Sequence, residues 1–182
     1  MVIIIGIIVL VLLVGGWYIS ARNGLVALEQ KLKNSKSQIA VQINSRWDAL
    51  SSLIGATKQY AKHESETLEK VVAGRNQLGK NASVTEMQQE DAKYQGALSR
   101  LMAVVESYPD LKAASLYQDS MKSVKQYEDN VRYARMSYND MATKFNTKIK
   151  SIPTNIVANS MGLVEAEYFE QEEGKSQMPT WE

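Results

Sequence analysis

Cysteine is absent from this chain, and histidine occurs once. The first absence removes disulfide stapling and thiolate metal sites. The second removes the imidazole clusters on which most zinc sites depend. The lone His63 is followed by Glu64, but neighbours on a helix point about 100° apart, so the pair does not make a two-ligand face. Proline is scarce, at Pro109, Pro153 and Pro179 alone, so long stretches can run as unbroken helix. Neither charge is in excess: Lys and Arg number 21 against 20 Asp and Glu. That balance gives no electrostatic reason to expect nucleic acid as a partner. No Ser–His–Asp spacing, phosphate loop or dinucleotide fingerprint occurs. These absences point away from an enzyme, and no cofactor, metal or small-molecule substrate is expected.

What is present begins at the N-terminus. Met1 to Ile19 carry no charged side chain and are dominated by Ile, Val and Leu. As a helix they span roughly 30 Å, the thickness of a bilayer's hydrocarbon core. A cleaved signal peptide would want Lys or Arg before the run and a small-residue cleavage site after it. Neither occurs here, since the run leaves through Gly15-Gly16-Trp17-Tyr18. A core helix of a soluble domain would not be apolar on every face. The pattern predicts a transmembrane anchor over residues 1–19, with Trp17 and Tyr18 at the headgroup level, where amphipathic rings are favoured. Arg22, Lys31, Lys33 and Lys36 follow the span, opposed only by Glu29. The positive-inside rule then places the N-terminus outside and the following domain in the cytoplasm. Gly16, Ser20 and Gly24 fall on one helical face, and small residues at that spacing let helices approach closely. Self-association through this face is the expectation; a chance spacing of glycines is the bland alternative.

About 160 residues remain, enough for one domain with its own core. The fold class predicted is all-α: an anchor helix continuing into an antiparallel bundle of three long helices and a short fourth, over residues 20–166. In the first helix Leu25, Leu28, Leu32, Ile39, Ile43, Leu50, Leu53, Ile54, Tyr60, Leu68, Val71 and Leu78 follow three-four steps up to a turn at Gly79-Lys80-Asn81. The second carries Val84, Met87, Tyr94, Leu98, Leu101 and Val105 and stops at Pro109. Asp110 is the expected cap of the third, which carries Tyr117 through Ile152. The fourth is expected from Thr154 to about Ala166, capped by Thr154 or Asn155. Residues 167–182 read as an acidic, partly disordered tail, with Tyr168-Phe169 able to dock on the bundle.

Charged residues interrupt the apolar stripes. Asp91 falls between Met87 and Tyr94, and Glu128 and Arg135 alternate with Val124, Val131 and Tyr138. Folding the chain about its predicted turns sets Arg75, Asp91, Glu128 and Arg135 in one layer. Two acids and two bases neutralise each other, so the layer reads as an ion cluster that fixes helix register. A buried ligand, ion or proton switch is the sharper alternative.

Several blocks resemble the LemA family of bacterial membrane proteins. They are Lys58-Gln59-Tyr60-Ala61-Lys62-His63-Glu64, Tyr108-Pro109-Asp110-Leu111-Lys112-Ala113, Ala134-Arg135-Met136-Ser137-Tyr138-Asn139, Phe145-Asn146, Ile152-Pro153 and Tyr168-Phe169-Glu170. The family often has a proline-containing segment where this chain reads Arg46-Trp47-Asp48-Ala49-Leu50-Ser51-Ser52-Leu53-Ile54. The missing proline favours an unbroken first helix here. The resemblance implies a one-pass anchor in a bacterial inner membrane and a helical bundle. It implies little chemistry, and its relatives include proteins implicated in forming bacterial membrane compartments. The function expected is a membrane-anchored scaffold or adaptor that self-associates or recruits partners, with the lipid bilayer its one definite partner. The alternative is a membrane-tethered sensor whose charged layer acts as a switch.

Overall fold

Three-four spacing becomes helix along most of the chain. The computed structural model describes residues 1–58, 69 and 72–169. Its helices are α1 Val2–Lys58, α2 Val84–Glu106, α3 Pro109–Ala113, α4 Ser115–Lys150 and α5 Thr154–Ser160. No strand occurs among the described residues, and the all-α class stands.

α1 is one helix of 57 residues, about 85 Å long. Every residue from Met1 to Ser20 is exposed, and the first buried one is Leu25. From there burial recurs every seventh position, at Leu25, Leu32, Ile39, Arg46 and Leu53, with Ile43, Leu50 and Thr57 on the line four residues further on. α4 answers with Tyr117, Val124, Val131, Tyr138 and Phe145, and α2 with Met87, Tyr94 and Leu101. A seven-residue spacing keeps one seam of each helix turned to its neighbours over many turns. α4 packs along α1 more extensively than any other element does. The two are antiparallel: Ser45 and Ala49 share a groove with Ser123 and Tyr127, whereas Glu29 and Leu32 share one with Tyr138 and Phe145.

The first helix does not run on to Leu78 as the stripe predicts. Arg75 Nη1 donates to Asp48 Oδ1 at 2.7 Å. The Asn44 amide donates to the Leu78 carbonyl at 2.9 Å and accepts from its N–H at 3.1 Å. On one straight helix Asp48 and Arg75 would lie about 40 Å apart. Residues 75–79 therefore lie back beside α1 as an irregular strip and not along its continuation. A stripe of apolar residues says which side is buried. It does not say whether the chain goes straight or returns. The turn at Gly79 and Ala82 then starts α2 parallel to α1: Ser83 and Val84 lie near Leu32 and Lys36, and Asp91 near Arg46.

Helix ends follow local chemistry. Ser83 caps α2 in a reciprocal box: its hydroxyl accepts from the Glu86 N–H at 3.1 Å, and the Glu86 carboxylate accepts from the Ser83 N–H at 2.7 Å. Pro109 opens α3 at a position where its missing N–H costs nothing. Asp110 lies in the first turn of that five-residue helix and does not cap α4. An extended Ala114 separates the two, so that both Leu111 and Tyr117 reach the core. α5 ends at Ser160 and not near Ala166, and no side chain caps its start. Gly162 is the cause, with φ 66°. Its N–H donates to Asn159 and that of Leu163 to Ala158, the paired bonds of a left-handed helix stop.

The packed region also extends past Ala166. Phe169 is buried, its ring edge-on to Tyr138 at 5.3 Å. Glu170 to Glu182, with Trp181 and every tail acid after Glu167, lie outside the described residues, as do His63 and Glu64.

Candidate functional site

The strongest concentration of charge inside the bundle is built on Asp91 of α2. Arg46 of α1 donates through Nη2 to Asp91 Oδ1, and Arg135 of α4 pairs with the same oxygen at 3.2 Å. Three helices thus meet at one carboxylate. The Arg46 guanidinium also stacks over the Tyr94 ring at 3.9 Å, and Trp47 meets that ring edge-on at 5.3 Å. On the other side Arg135 lies 5.5 Å from the centre of the Phe169 ring. Aromatic faces attract guanidinium groups and shield the pair from water, which strengthens it.

Burial pushes the Asp91 carboxyl up, but Arg46, and then Arg135, outweigh it and hold the group below the ordinary carboxylate value. Burial likewise drives the Tyr94 phenol far above its ordinary value; the neighbouring Arg46 opposes this, and Glu128 and Asp91 add to it. At neutral pH the site therefore holds an ionised carboxylate whose Oδ1 meets both guanidinium groups and a phenol that keeps its proton, while Arg46 Nε, Arg135 Nε and the Tyr94 hydroxyl are buried without a hydrogen-bond partner among the described residues. None of these is poised to move a proton. Among the described residues no group of three His, Asp or Glu side chains could hold a metal ion.

The predicted layer is only partly assembled. Asp91 and Arg135 meet. Arg75 does not join them: it lies beside Asp48 instead, with a second bond from Nη2 to the Asn44 carbonyl at 3.3 Å. Glu128 is partly buried and accepts from Gln95 Nε2 at 3.2 Å, not from an arginine. The residue that sequence reasoning missed is Arg46, the most deeply buried of the charged partners at 3% exposure. Its signal was legible: it occupies the one charged position in the seven-residue series Leu25, Leu32, Ile39, Arg46 and Leu53.

A second device recurs around the layer. Three asparagines each bind an irregular strand of chain with both ends of the amide. Asn44 does so to Leu78. Asn146 does so to Ala166 at 2.9 and 2.8 Å, and Asn139 to Phe169 at 3.0 Å in both directions. Tyr138 adds a bond from its hydroxyl to the Glu167 carbonyl at 3.0 Å. Each clasp satisfies backbone groups that no helix supplies. The last three bind the strip after α5 back along α4, bringing Phe169 over Arg135.

At the other end of the molecule Trp17 and Tyr18 are exposed. Gly16, Ser20 and Gly24 are exposed too, and a Cβ added at Gly16 or Gly24 meets nothing within 4 Å. The small-residue face is free along its length.

The profile of the LemA family matches residues 35–182. The chain belongs to the LemA family. The matched region begins beyond the apolar span and covers the bundle. A relative named Protein LemA, from Metamycoplasma hominis, is 29% identical over 160 residues, covering 86% of this chain and 72% of the relative. Magnetosome protein MamQ 2 of Paramagnetospirillum magneticum is 38% identical over 81 residues, 44% of this chain and 30% of that protein. Magnetosome protein MamQ of Magnetospirillum gryphiswaldense is 27% identical over 175 residues, 82% of this chain and 64% of the relative. The chain thus spans less than two thirds of either magnetosome relative. In this LemA protein the described blocks from Tyr108 onward that carry the resemblance make helix stops and clasps. Pro109 begins α3, Tyr138, Asn139 and Asn146 hold the return strip, and Phe169 closes over the layer.

Proposed function

We propose that this protein is a non-enzymatic, membrane-anchored scaffold, held by one pass of α1 through a bacterial inner membrane, that self-associates and presents a rigid helical bundle to partner proteins. The observation that carries the reading is the continuity of α1. Its first part is bare and apolar on all sides, its second part is a core element of the bundle, and no break separates them. The bundle is therefore joined rigidly to the anchor and not hung on a linker. The relatives named as magnetosome proteins support a membrane-associated role of a general kind. The charged layer supports the scaffold over the sensor, because Asp91 is held in its ionised form by the two guanidinium groups beside it.

Arg22, Lys31 and Lys33, all exposed on the first turns past the span, favour a cytoplasmic bundle with the N-terminus outside. Protease added to the outer face of spheroplasts should spare the bundle; digestion without membrane disruption reverses the orientation. Self-association is tested by mild extraction from the membrane and measurement of the complex mass. The parent should exceed a monomer, and Gly16→Leu with Gly24→Leu should shrink it. A monomeric mass in both forms removes self-association from the proposal.

A further inference from the structure

We infer that the corner between α4 and α5 is a second membrane contact, seated in the lipid headgroup region with Ile152 and Ile156 as its apolar insertion. The inference rests on the anchor reading above, because α1 fixes where the bilayer lies. Two independent geometries set the corner at that level. Tyr18, at the end of the apolar run, shares a hydrogen bond with Ser160 at 3.1 Å, and Ser160 is the last residue of α5. The far end of α5 is thus one side chain's length from the span. The register of α4 gives the same answer. Ala49 and Ser123 share a groove, and counting equally back along α1 and on along α4 sets Ile149 level with about Asn23. The chain then continues toward the span through Ser151 and Ile152.

At this corner the large apolar side chains face outward. Ile152 is 84% exposed and Ile156 is 64% exposed. The opposite side of α5, with Thr154, Val157 and Ala158, is buried in the bundle. α5 therefore lies between the protein core and whatever is outside it. Lys148 stands exposed on the last turn of α4 beside Lys150, which is paired with Glu165 at 2.8 Å, and Arg22 is exposed on α1 near the same level. Apolar side chains flanked by cations, on a short helix beside a span, match the chemistry of a bilayer surface carrying anionic lipid. The span ends within the same few ångströms of height, so this surface continues the contact that α1 already makes. Two points of attachment, unlike one, fix the tilt of the bundle.

The chain has no cysteine, so single-cysteine variants of the full-length protein take one label each. Ile152→Cys, Ile156→Cys, Leu10→Cys and Leu116→Cys carry an environment-sensitive fluorophore in vesicles of phosphatidylcholine and phosphatidylglycerol. Lipids with a spin label near the headgroup or deep in the chains act as quenchers. The labels at 152 and 156 should be quenched by the shallow probe several-fold more than the label at 116, which is at the opposite end of α4. The label at 10 should be quenched by the deep probe. If 152 and 156 behave like 116 while 10 is quenched, the anchor stands and the second contact is wrong. If 10 is not quenched by the deep probe either, the anchor reading fails and takes this inference with it. Labels at 152 and 156 that report an apolar setting yet escape both quenchers would place a second protein copy there, which also overturns the inference.

Discussion

The two halves of α1 are one helix with two different surroundings. Residues 2–19 are apolar all round and bury nothing. Residues 25–57 carry a single buried seam, and on it sits a charged residue, Arg46. The backbone is helical in both, although the first half is rich in Ile, Val and Gly, which are middling to poor formers in water; no proline interrupts it, and in a bilayer a helix satisfies every backbone group within one segment. What differs is where the apolar side chains go. The outer half offers them to any apolar solvent; the inner half offers one stripe to three specific neighbours. Substitutions should therefore be felt very differently in the two.

The largest effect is expected at the charge in the inner seam. Arg46→Met leaves Asp91 buried with Arg135 alone, and removing one partner of a buried pair typically costs about 3–5 kcal/mol. Denaturant unfolding of the detergent-solubilised protein should show it, and Arg46→Met with Asp91→Leu should cost less than the two single changes added. Additive costs would mean that the pair is not coupled. Next comes a matched pair of truncations. Leu50→Ala should cost about 2–5 kcal/mol, since Leu50 is fully buried. Leu10→Ala, in the exposed outer half, should leave bundle unfolding within about 0.5 kcal/mol of the parent. Equal costs would break the contrast between the halves.

A smaller effect follows from pH. The Asp91 carboxyl is held below its ordinary value in the folded protein. Its contribution is thus complete above the unfolded value of about 3.9, and is lost as pH falls through the lower folded one. A pH series of the melting temperature should fall more steeply below about pH 4 in the parent than in Asp91→Asn. Parallel curves would assign the acid sensitivity elsewhere. The smallest effect is the cap of α2: Ser83→Ala should cost about 1 kcal/mol and no more, as the bond is exposed.

Much of this molecule was legible in the sequence, and the parts that were not share a cause. The apolar seams of α2 and α4, the stop at Pro109 and the long apolar N-terminal helix all follow from periodicity and breaker chemistry, which are local. Asp91 and Arg135 were placed together because their seams were read correctly. Arg75 was misplaced because a three-four stripe does not show that residues 75–79 lie back beside Asn44 and Asp48. Arg46 was overlooked because the first stripe was read from its apolar residues, which step from Ile43 to Leu50 across it, although the seven-residue spacing put it on the seam. Two missed signals were available: Ser83 three residues before Glu86 marks a cap, and Gly162 marks the end of α5. The asparagine clasps were not available, since an amide that binds a distant strand looks like any polar residue on a helix.

The claim on which the rest depends is that α1 is embedded over its first half and packed over its second. Alkaline carbonate extraction of membranes tests it most directly, with the full chain beside a form beginning at residue 20. The full chain should remain with the bilayer, and the shortened form should be released as a helical, cooperatively folded bundle. Release of the full chain by carbonate would contradict the account.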